Sequence, residues 1–271
     1  MVVLRIVVPA VILAAAMSVP GLGGAQPPAP SFHWPDGVRA AVSLSFDDAR
    51  PSQIEAGLPL FERYGTPVTF YLTGRDIGDN AAAWRRAAAS GHEMGNHTMV
   101  HPCTGNFAWA RDRALEDYTL DRLRAELVES NRVIEQATGM KPVTFAYTCG
   151  QAFVGRGMRA ASMVPLVSEL FLAGRGWLGE TSNDPGFADL AQLLGYPMDD
   201  VEFAALKPVV DEAIASGRWL VLAGHDIGAT PGPQVTRVAM LRELLAYLGA
   251  PERKVWVDTV ARIATYVEDK Q

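Results

Sequence analysis

The sequence predicts an α/β protein built as a (β/α) TIM-like barrel, distorted or incomplete. Three observations support this. Strand-like and helix-like segments alternate with no run of strands alone, the pattern of a parallel sheet covered by helices. Roughly 245 residues follow the N-terminal leader, a length that suits such a barrel. The 271 residues are 49% hydrophobic and 20% charged, enough apolar material for a sizeable core and too much for disorder. The net charge of −6, with no basic run, argues against nucleic acid as a partner. Two cysteines exclude a disulfide-framework mini-fold and a four-cysteine zinc site.

The leader reads as an address. Arg5 supplies a short positive region and residues 6–17 an apolar one. Pro20, Gly21, Gly23, Gly24 and Ala25 then break the helix and offer small residues to a signal peptidase. Residues 1–25 are expected to be a signal peptide and 26–35, with Pro27, Pro28 and Pro30, a linker. An uncleaved anchor is the alternative, but the apolar run contains Pro9 and is short for a ~20-residue span. The folded domain, 36–268, is therefore expected to be exported, periplasmic or extracellular. No stable membrane span is expected after signal removal.

Val38, Ala40, Val42, Leu44 and Phe46 alternate with smaller or polar neighbours and predict the first strand. A helix over 52–64 ends at Gly65. A strand over 67–73 is rich in β-formers, and an Ala-rich helix over 80–90 closes at Gly91. A short strand at 93–96 precedes a loop. The helix at 119–138 puts Leu120, Leu123, Leu127 and Ile134 on one face and stops at Gly139. Next come a strand at 143–147, a helix at 160–170, a strand at 171–173 and a loop through 183–186. The helix at 201–216 is expected to kink or break at Pro208. A strand at 218–223, a helix at 234–248, a strand at 254–257 and a helix at 259–268 with Asp258 as cap complete the chain.

Functional groups of such barrels project from loops after the strands. Three predicted strands end in Ser45-Phe46-Asp47-Asp48, in Gly95-Asn96-His97-Thr98-Met99-Val100-His101-Pro102, and in Ala223-Gly224-His225-Asp226. Three of the five histidines sit there, and His92 lies just upstream. Adjacent carboxylates at a strand end diverge, so one of Asp47 and Asp48 can ligate a cation while the other takes a proton. His97 and His101, four apart, put two imidazoles on one side of a turn. With one carboxylate they make a three-ligand site that leaves a position for water, as hydrolytic zinc sites require. A turn-capping Asp pair and two ordinary surface histidines are the structural alternatives. His225 can protonate a leaving group near pH 7, or be a buried histidine bonded to backbone. Asp226 reads as a turn residue.

Ser45-Phe46-Asp47-Asp48-Ala49, His97-Thr98-Met99-Val100-His101 and Leu222-Ala223-Gly224-His225, in this order, resemble the polysaccharide deacetylases (NodB homology, carbohydrate esterase family 4). The resemblance spans roughly residues 38–265. It implies metal-assisted removal of an acetyl group, N- or O-linked, from a carbohydrate polymer or oligosaccharide. It implies Asp47 as general base, Asp48, His97 and His101 as ligands of a divalent metal, His225 as general acid, and Thr98 as a brace of the metal loop. Zinc suits two imidazoles and a carboxylate best, with cobalt or nickel also compatible.

The chain departs from the family pattern at several positions. Ala49 stands where glycine is usual. Ala146 stands where an arginine would orient the base, and Cys149 where a tyrosine would stand, its backbone N–H still able to serve the oxyanion. Arg175 is the candidate replacement cation. Trp177 or Asp184 is the candidate for the family's Trp and Asp near the acid histidine. Cys103 and Cys149 fall on two motif loops facing one site and are expected to form a disulfide. His33, Trp34, Phe107 and Trp109 are aromatics that stack on sugar or simply pack. The competing readings are a catalytically impaired carbohydrate-binding protein, which Ala146 favours, and a hydrolase of C–N bonds in small amides.

Overall fold

The computed structural model describes residues 32–271; the expected signal peptide, residues 1–25, and residues 26–31 of the expected linker lie outside the described residues. The strands are β1 (Ala40–Asp47), β2 (Thr69–Leu72), β3 (Glu93–Asn96), β4 (Thr144–Ala146), a small hairpin of β5 (Phe153–Val154) and β6 (Ala161–Ser162), β7 (Ala173–Arg175), β8 (Gly195–Pro197), β9 (Trp219–Gly224), the pair β10 (Asp226–Gly228) and β11 (Val235–Arg237), and β12 (Val255–Val257). Eight of them make one parallel sheet in the order β7-β4-β3-β2-β1-β9-β8, with β12 pairing the first half of β1. Gly176 N and Leu193 N bond across to Leu193 O and Gly174 O, both at 2.8 Å, so the segment entering β8 nearly closes the sheet against β7. The barrel class holds.

Strand parity organises the core. Along the wholly buried β1, Val42, Leu44 and Phe46 join the cluster under the outer helices. Ala41, Ser43 and Ser45 alternate with them and face the other way. Ser45 Oγ donates to Leu222 O at 2.7 Å and Ser43 Oγ accepts from Trp219 Nε1 at 3.1 Å. Small and hydroxylated residues on this face leave room along the barrel axis.

The helices are α1 (Leu58–Tyr64), α2 (Ala81–Ala89), α3 (Leu120–Thr138), α4 (Val164–Leu170), α5 (Phe203–Ser216), α6 (Val238–Leu248) and α7 (Val260–Lys270). The Thr119 hydroxyl caps α3 by accepting from Arg122 N, and Gly139 ends it at φ 79°. Thr259, not Asp258, caps α7; Asp258 instead accepts from Arg262 Nη1 at 3.0 Å. Of the kink or break expected at Pro208, there is no break: α5 continues through it to Ser216.

Other differences cluster where patterning is weak. The segment before α1 is a π turn, Gln53–Gly57. The strand expected at 171–173 lies two residues later, which brings Arg175 into the sheet. The helix expected at 160–170 starts only at Val164, because 161–162 pair with 153–154. β8 has no apolar alternation and went unpredicted. The helix expected from 234 starts at Val238, since Val235–Arg237 pair with Asp226–Gly228.

Cys103 and Cys149 are joined, with Cα atoms 6.0 Å apart and a separation of 46 positions in sequence. The bridge ties the loop after β3 to the loop after β4. Closing a loop of this length restricts the unfolded chain. A Cys103→Ala/Cys149→Ala variant is expected to lose about 2–4 kcal/mol of unfolding free energy, read from urea denaturation.

Candidate active site

Segments at the C-terminal ends of β1, β2, β3, β4, β7 and β9 line a cavity of about 720 Å³. Asp47 keeps the parity of Ala41, Ser43 and Ser45, so its carboxylate enters the barrel axis and is only 3% exposed. Asp48 leaves the strand at φ 79° and Ala49 follows at φ 58°, which carries the second carboxylate to the rim. One sequence step thus separates a buried carboxylate from one that faces the cavity mouth.

The buried charge of Asp47 is matched by Arg175. Its Nη2 donates to Asp47 Oδ1, and the arginine side chain is fully buried. Ala146 and Arg175 are register partners on β4 and β7, so the guanidinium comes from the same height on the adjacent strand. Nη1 also donates to Gly176 O at 2.9 Å, and the Tyr71 ring lies 5.0 Å from the guanidinium. Gly195 makes room: a Cβ there would stand 2.4 Å from Arg175 Cδ.

Asp48 Oδ1 stands 3.5 Å from His97 Nε2 and 3.4 Å from His101 Nε2, both long for hydrogen bonds. Ligands of one tetrahedral zinc ion, bound at about 2.0–2.2 Å, lie roughly 3.3–3.5 Å from each other. His97 Nδ1 sits 2.9 Å from the Ala146 carbonyl, which only accepts, so Nδ1 carries the proton and Nε2 presents a lone pair. That Nε2 is buried with no hydrogen-bond partner. Burial, then the neighbouring His97, push the His101 imidazole down to about 4, leaving it neutral at pH 7. Burial opposes ionisation of Asp48, but His97, His101 and His225 outweigh it and hold the carboxyl well below the usual range. Two imidazoles and one carboxylate, with one imidazole nitrogen buried and without a partner, fit a divalent cation.

The loop carrying both histidines is held open by backbone in sparsely populated conformations. Thr98 has φ 64° and His101 φ 55°. Asn96 Oδ1 accepts from Thr98 N at 2.7 Å, and Thr98 Oγ1 accepts from His101 N at 2.9 Å, so Thr98 braces the loop. Cys149, at φ 53°, lines the cavity and is bridged to Cys103, two residues beyond His101.

His225 follows β9. Its Nδ1 lies 2.6 Å from Asp199 Oδ2 and its N–H donates to Asp199 Oδ1 at 3.0 Å. Burial pulls the His225 pKa down, but Asp199, and next Asp47, push it above the ordinary value. The Trp177 ring meets His225 edge-on at 4.9 Å. Of the two candidates for the groups near this histidine, Trp177 is there and Asp184 is not. Asp184 lies 4.0 Å from Arg218, beside the start of β9. Asp226 is more than a turn residue: it accepts from Arg50 Nη1 at 2.5 Å and from Ser52 Oγ at 2.7 Å.

Three residues escaped the sequence reading. Asp199 sits in an Asp199-Asp200 pair just after β8, the same strand-end signal as Asp47-Asp48 on a strand that patterning did not reveal. Arg50 donates to Asp48 Oδ2 from Nε at 3.1 Å and Nη2 at 2.8 Å, leaving Oδ1 for the histidines. Gln53 Nε2 donates to the backbone oxygens of Asp47 at 2.6 Å and His225 at 3.0 Å, locking two strand ends together. His92 is elsewhere: its Nδ1 accepts from Val68 N at 3.2 Å, and burial lowers its pKa to about 4. Trp34 stacks on Tyr266 and donates to Gly217 O, at the opposite end of the barrel, and the neighbouring His33 carbonyl accepts from the Tyr266 hydroxyl.

Residues 36–160 match the family model described as polysaccharide deacetylase. A Bacillus sp. protein named gellan lyase is 26% identical over 264 residues, which is 88% of this chain and 10% of that protein. A chitooligosaccharide deacetylase of Rhizobium leguminosarum bv. phaseoli is 30% identical over 102 residues, 37% of this chain and 40% of that one. The chain therefore spans well under two thirds of these relatives. The solved structure of a probable polysaccharide deacetylase from Pseudomonas aeruginosa PAO1 superposes with a TM-score of 0.65 at 20% identity, covering 92% of this chain and 96% of that one. This likeness shows the shared fold. Together these findings bear out the resemblance drawn from the three motifs.

The Arg175–Asp47 pair can be tested without substrate. Arg175→Met leaves a buried carboxylate unmatched and is expected to cost about 3–5 kcal/mol in denaturant unfolding. Adding Asp47→Asn to that variant is expected to recover a large part of the loss.

Proposed function

From its place among the polysaccharide deacetylases, we propose that this chain is a metal-dependent hydrolase that removes N- or O-linked acetyl groups from a carbohydrate. The observation that carries the reading is the convergence of Asp48 Oδ1 with two imidazole Nε2 atoms at 3.4 and 3.5 Å, beside a second carboxylate and a histidine with its own carboxylate. Asp48, His97 and His101 would hold the ion, zinc by their donor chemistry, with cobalt or nickel compatible. When bound, a divalent ion polarises an acetyl carbonyl and acidifies a water.

The chain's own groups account for the proton traffic. Asp47 Oδ2, 4.0 Å from His97 Nε2, accepts a proton from the attacking water. Arg175 occupies Oδ1, so the other oxygen is the one free to act. His225 has Nδ1 tied to Asp199, and its Nε2–H gives a proton to the departing amine or alcohol. The Cys149 backbone N–H is the candidate donor to the oxyanion. No covalent bond between enzyme and substrate is needed. Ala146 alone would favour an impaired protein, but Arg175 supplies a cation to the base, which favours activity.

Export is part of the proposal. The expected signal peptide supports it, and so does a disulfide beside the site, since such bonds persist in oxidising compartments. No helix of the described residues is long and apolar enough to cross a membrane. The substrate is proposed as an acetylated glycan, with chitin-like chains, peptidoglycan and acetylxylan as the panel. The name gellan lyase belongs to a protein of which the matched part is a tenth, and it is not carried over.

Acetate release across that panel, with and without a chelator, tests the reading. Release is expected to vanish with chelator and return with one equivalent of zinc; release that ignores the chelator would overturn the metal role. Asp47→Asn is expected to lower kcat by about 10²–10⁴-fold while zinc stoichiometry stays unchanged. His225 must be protonated to act, so kcat/KM is expected to fall as pH rises through its elevated pKa. Asp199→Asn removes the largest upward influence on that pKa and is expected to shift this alkaline limb to lower pH.

A further inference from the structure

We propose that, once the Cys103–Cys149 bridge is reduced, the two sulfurs and His101 Nδ1 form a second site, for zinc or another thiophilic divalent ion. This site and the Asp48–His97–His101 site exclude each other, so the bridge decides which set His101 joins. The proposal rests on the proposed Asp48–His97–His101 site and adds a redox state that takes it apart. The His101 ring stands between two donor sets. Its Nε2 lies 3.4 Å from Asp48 Oδ1, and its Nδ1 lies 3.6 Å from Cys103 Sγ. A His101 ring nitrogen and the two sulfurs all lie within 4.8 Å of one another. With Zn–S bonds of about 2.3 Å and a Zn–N bond of about 2.0 Å, tetrahedral ligands stand roughly 3.5–3.8 Å apart. The contact from Nδ1 to Cys103 is already of that size. Only the sulfurs must part, and breaking their bond frees rotation about both Cα–Cβ bonds.

The bridge is open to attack from one side. Cys149 is half-buried and lines the cavity, whereas Cys103 is fully buried. A dithiol reductant therefore attacks Cys149 Sγ, and Cys103 leaves with the electron pair of the broken S–S bond. The second thiol of the reductant then displaces Cys149. The reductant ends as a cyclic disulfide, and two electrons and two protons have passed to the cysteines. Both thiol protons go to solvent when the sulfurs take up an ion. Thiolates suit zinc better than a carboxylate oxygen does. Exclusion follows from the imidazole, because a neutral ring has one lone pair and one N–H. The Ala146 carbonyl fixes the His97 proton on Nδ1, but His101 Nδ1 faces a sulfur, a weak acceptor that ties the proton to neither nitrogen. With Nδ1 as a ligand the proton sits on Nε2, and Nε2 no longer serves an ion at Asp48. Exchange with a disulfide donor closes the bridge, removes both thiolates and returns His101 to Asp48 and His97.

The test loads cobalt(II), whose absorption reports its ligands, onto the oxidised chain and onto chain reduced with dithiothreitol and freed of it by gel filtration under argon. The oxidised chain is expected to bind one equivalent with no thiolate-to-cobalt charge transfer. The reduced chain is expected to bind one equivalent with a strong near-ultraviolet charge-transfer band and to lose acetate release. Oxidised glutathione is expected to erase the band and restore release. Reduced Cys103→Ser is expected to lose at least half of the band, and reduced His101→Gln to keep the band but bind cobalt more weakly. A reduced chain without the band, or one that fills both sites at once, would overturn the proposal. So would cobalt affinity unchanged in reduced His101→Gln. A band that comes only with loss of far-ultraviolet circular dichroism would do the same, since unfolded thiols bind metals wherever they lie. The two claims separate. A thiolate band on reduction, with no cobalt bound by the oxidised chain, keeps the sulfur site and sinks the one at Asp48. Acetate release by the oxidised cobalt form, with no band on reduction, does the reverse.

Discussion

A carboxylate at the end of a fully buried strand keeps its charge only if a cation is buried with it. In this barrel the partner of Asp47 is Arg175, and much of the site's construction follows from that pair. β4 carries Ala146 at the height where a cation is needed. β7, paired with β4 in register, carries Arg175 at the same height. Moving the charge one strand sideways sends a long side chain through space that other residues must vacate. Ala146 is small, and at Gly195 a Cβ would collide with both Arg175 Cδ and Gly176 O at 2.4 Å. The arginine and the glycine are therefore one structural solution spread over two strands.

Around this pair, each reactive side chain is oriented by its own neighbour: His97 from β4, His225 from the segment after β8, and Asp48 from its own loop. The Ala146 carbonyl sets the tautomer of His97, Asp199 holds His225, and Arg50 occupies one oxygen of Asp48. Gln53 fastens the backbone ends of β1 and β9 to each other. Eight non-glycine residues among those described have positive φ, and Asp48, Ala49, Thr98, His101, Cys149 and Leu178 of these line or flank the cavity. Conformations of this kind cost roughly 1–3 kcal/mol each and persist only where surrounding bonds over-determine them. The side-chain bonds from Asn96 and Thr98 and the Cys103–Cys149 bridge supply that constraint.

Segments with strong periodicity were legible from residues alone. Glu93–Asn96 matches its expected bounds, and the helix through Leu123, Leu127 and Ile134 differs by one residue at its start. Between Phe153 and Pro197 only the helix ending at Leu170 and, two residues off, the strand Ala173–Arg175 were legible. There, strands of two or three residues carry too few side chains for alternation to register, and they exist because neighbours already in place offer them hydrogen bonds. Arg175 was a candidate by its position after a strand, yet it lies within one. Asp199 stayed hidden because the strand before it, Gly195–Pro197, has no apolar signature at all.

By itself, the amino-acid sequence determined the barrel class, the three loops that carry Asp47, Asp48, His97, His101 and His225, and the two thiols available for a bridge. Those features are local: a strand's alternation and the polar residues that follow it lie within a few positions of each other. Only the tertiary structure decided which carboxylate is buried, which cation matches it, and which acid holds His225. Asp47 and Arg175 are 128 residues apart, and Asp199 and His225, which follow different strands, are 26 apart. Pairings over such separations depend on sheet register, and register is set by packing across the whole barrel rather than by any window of sequence.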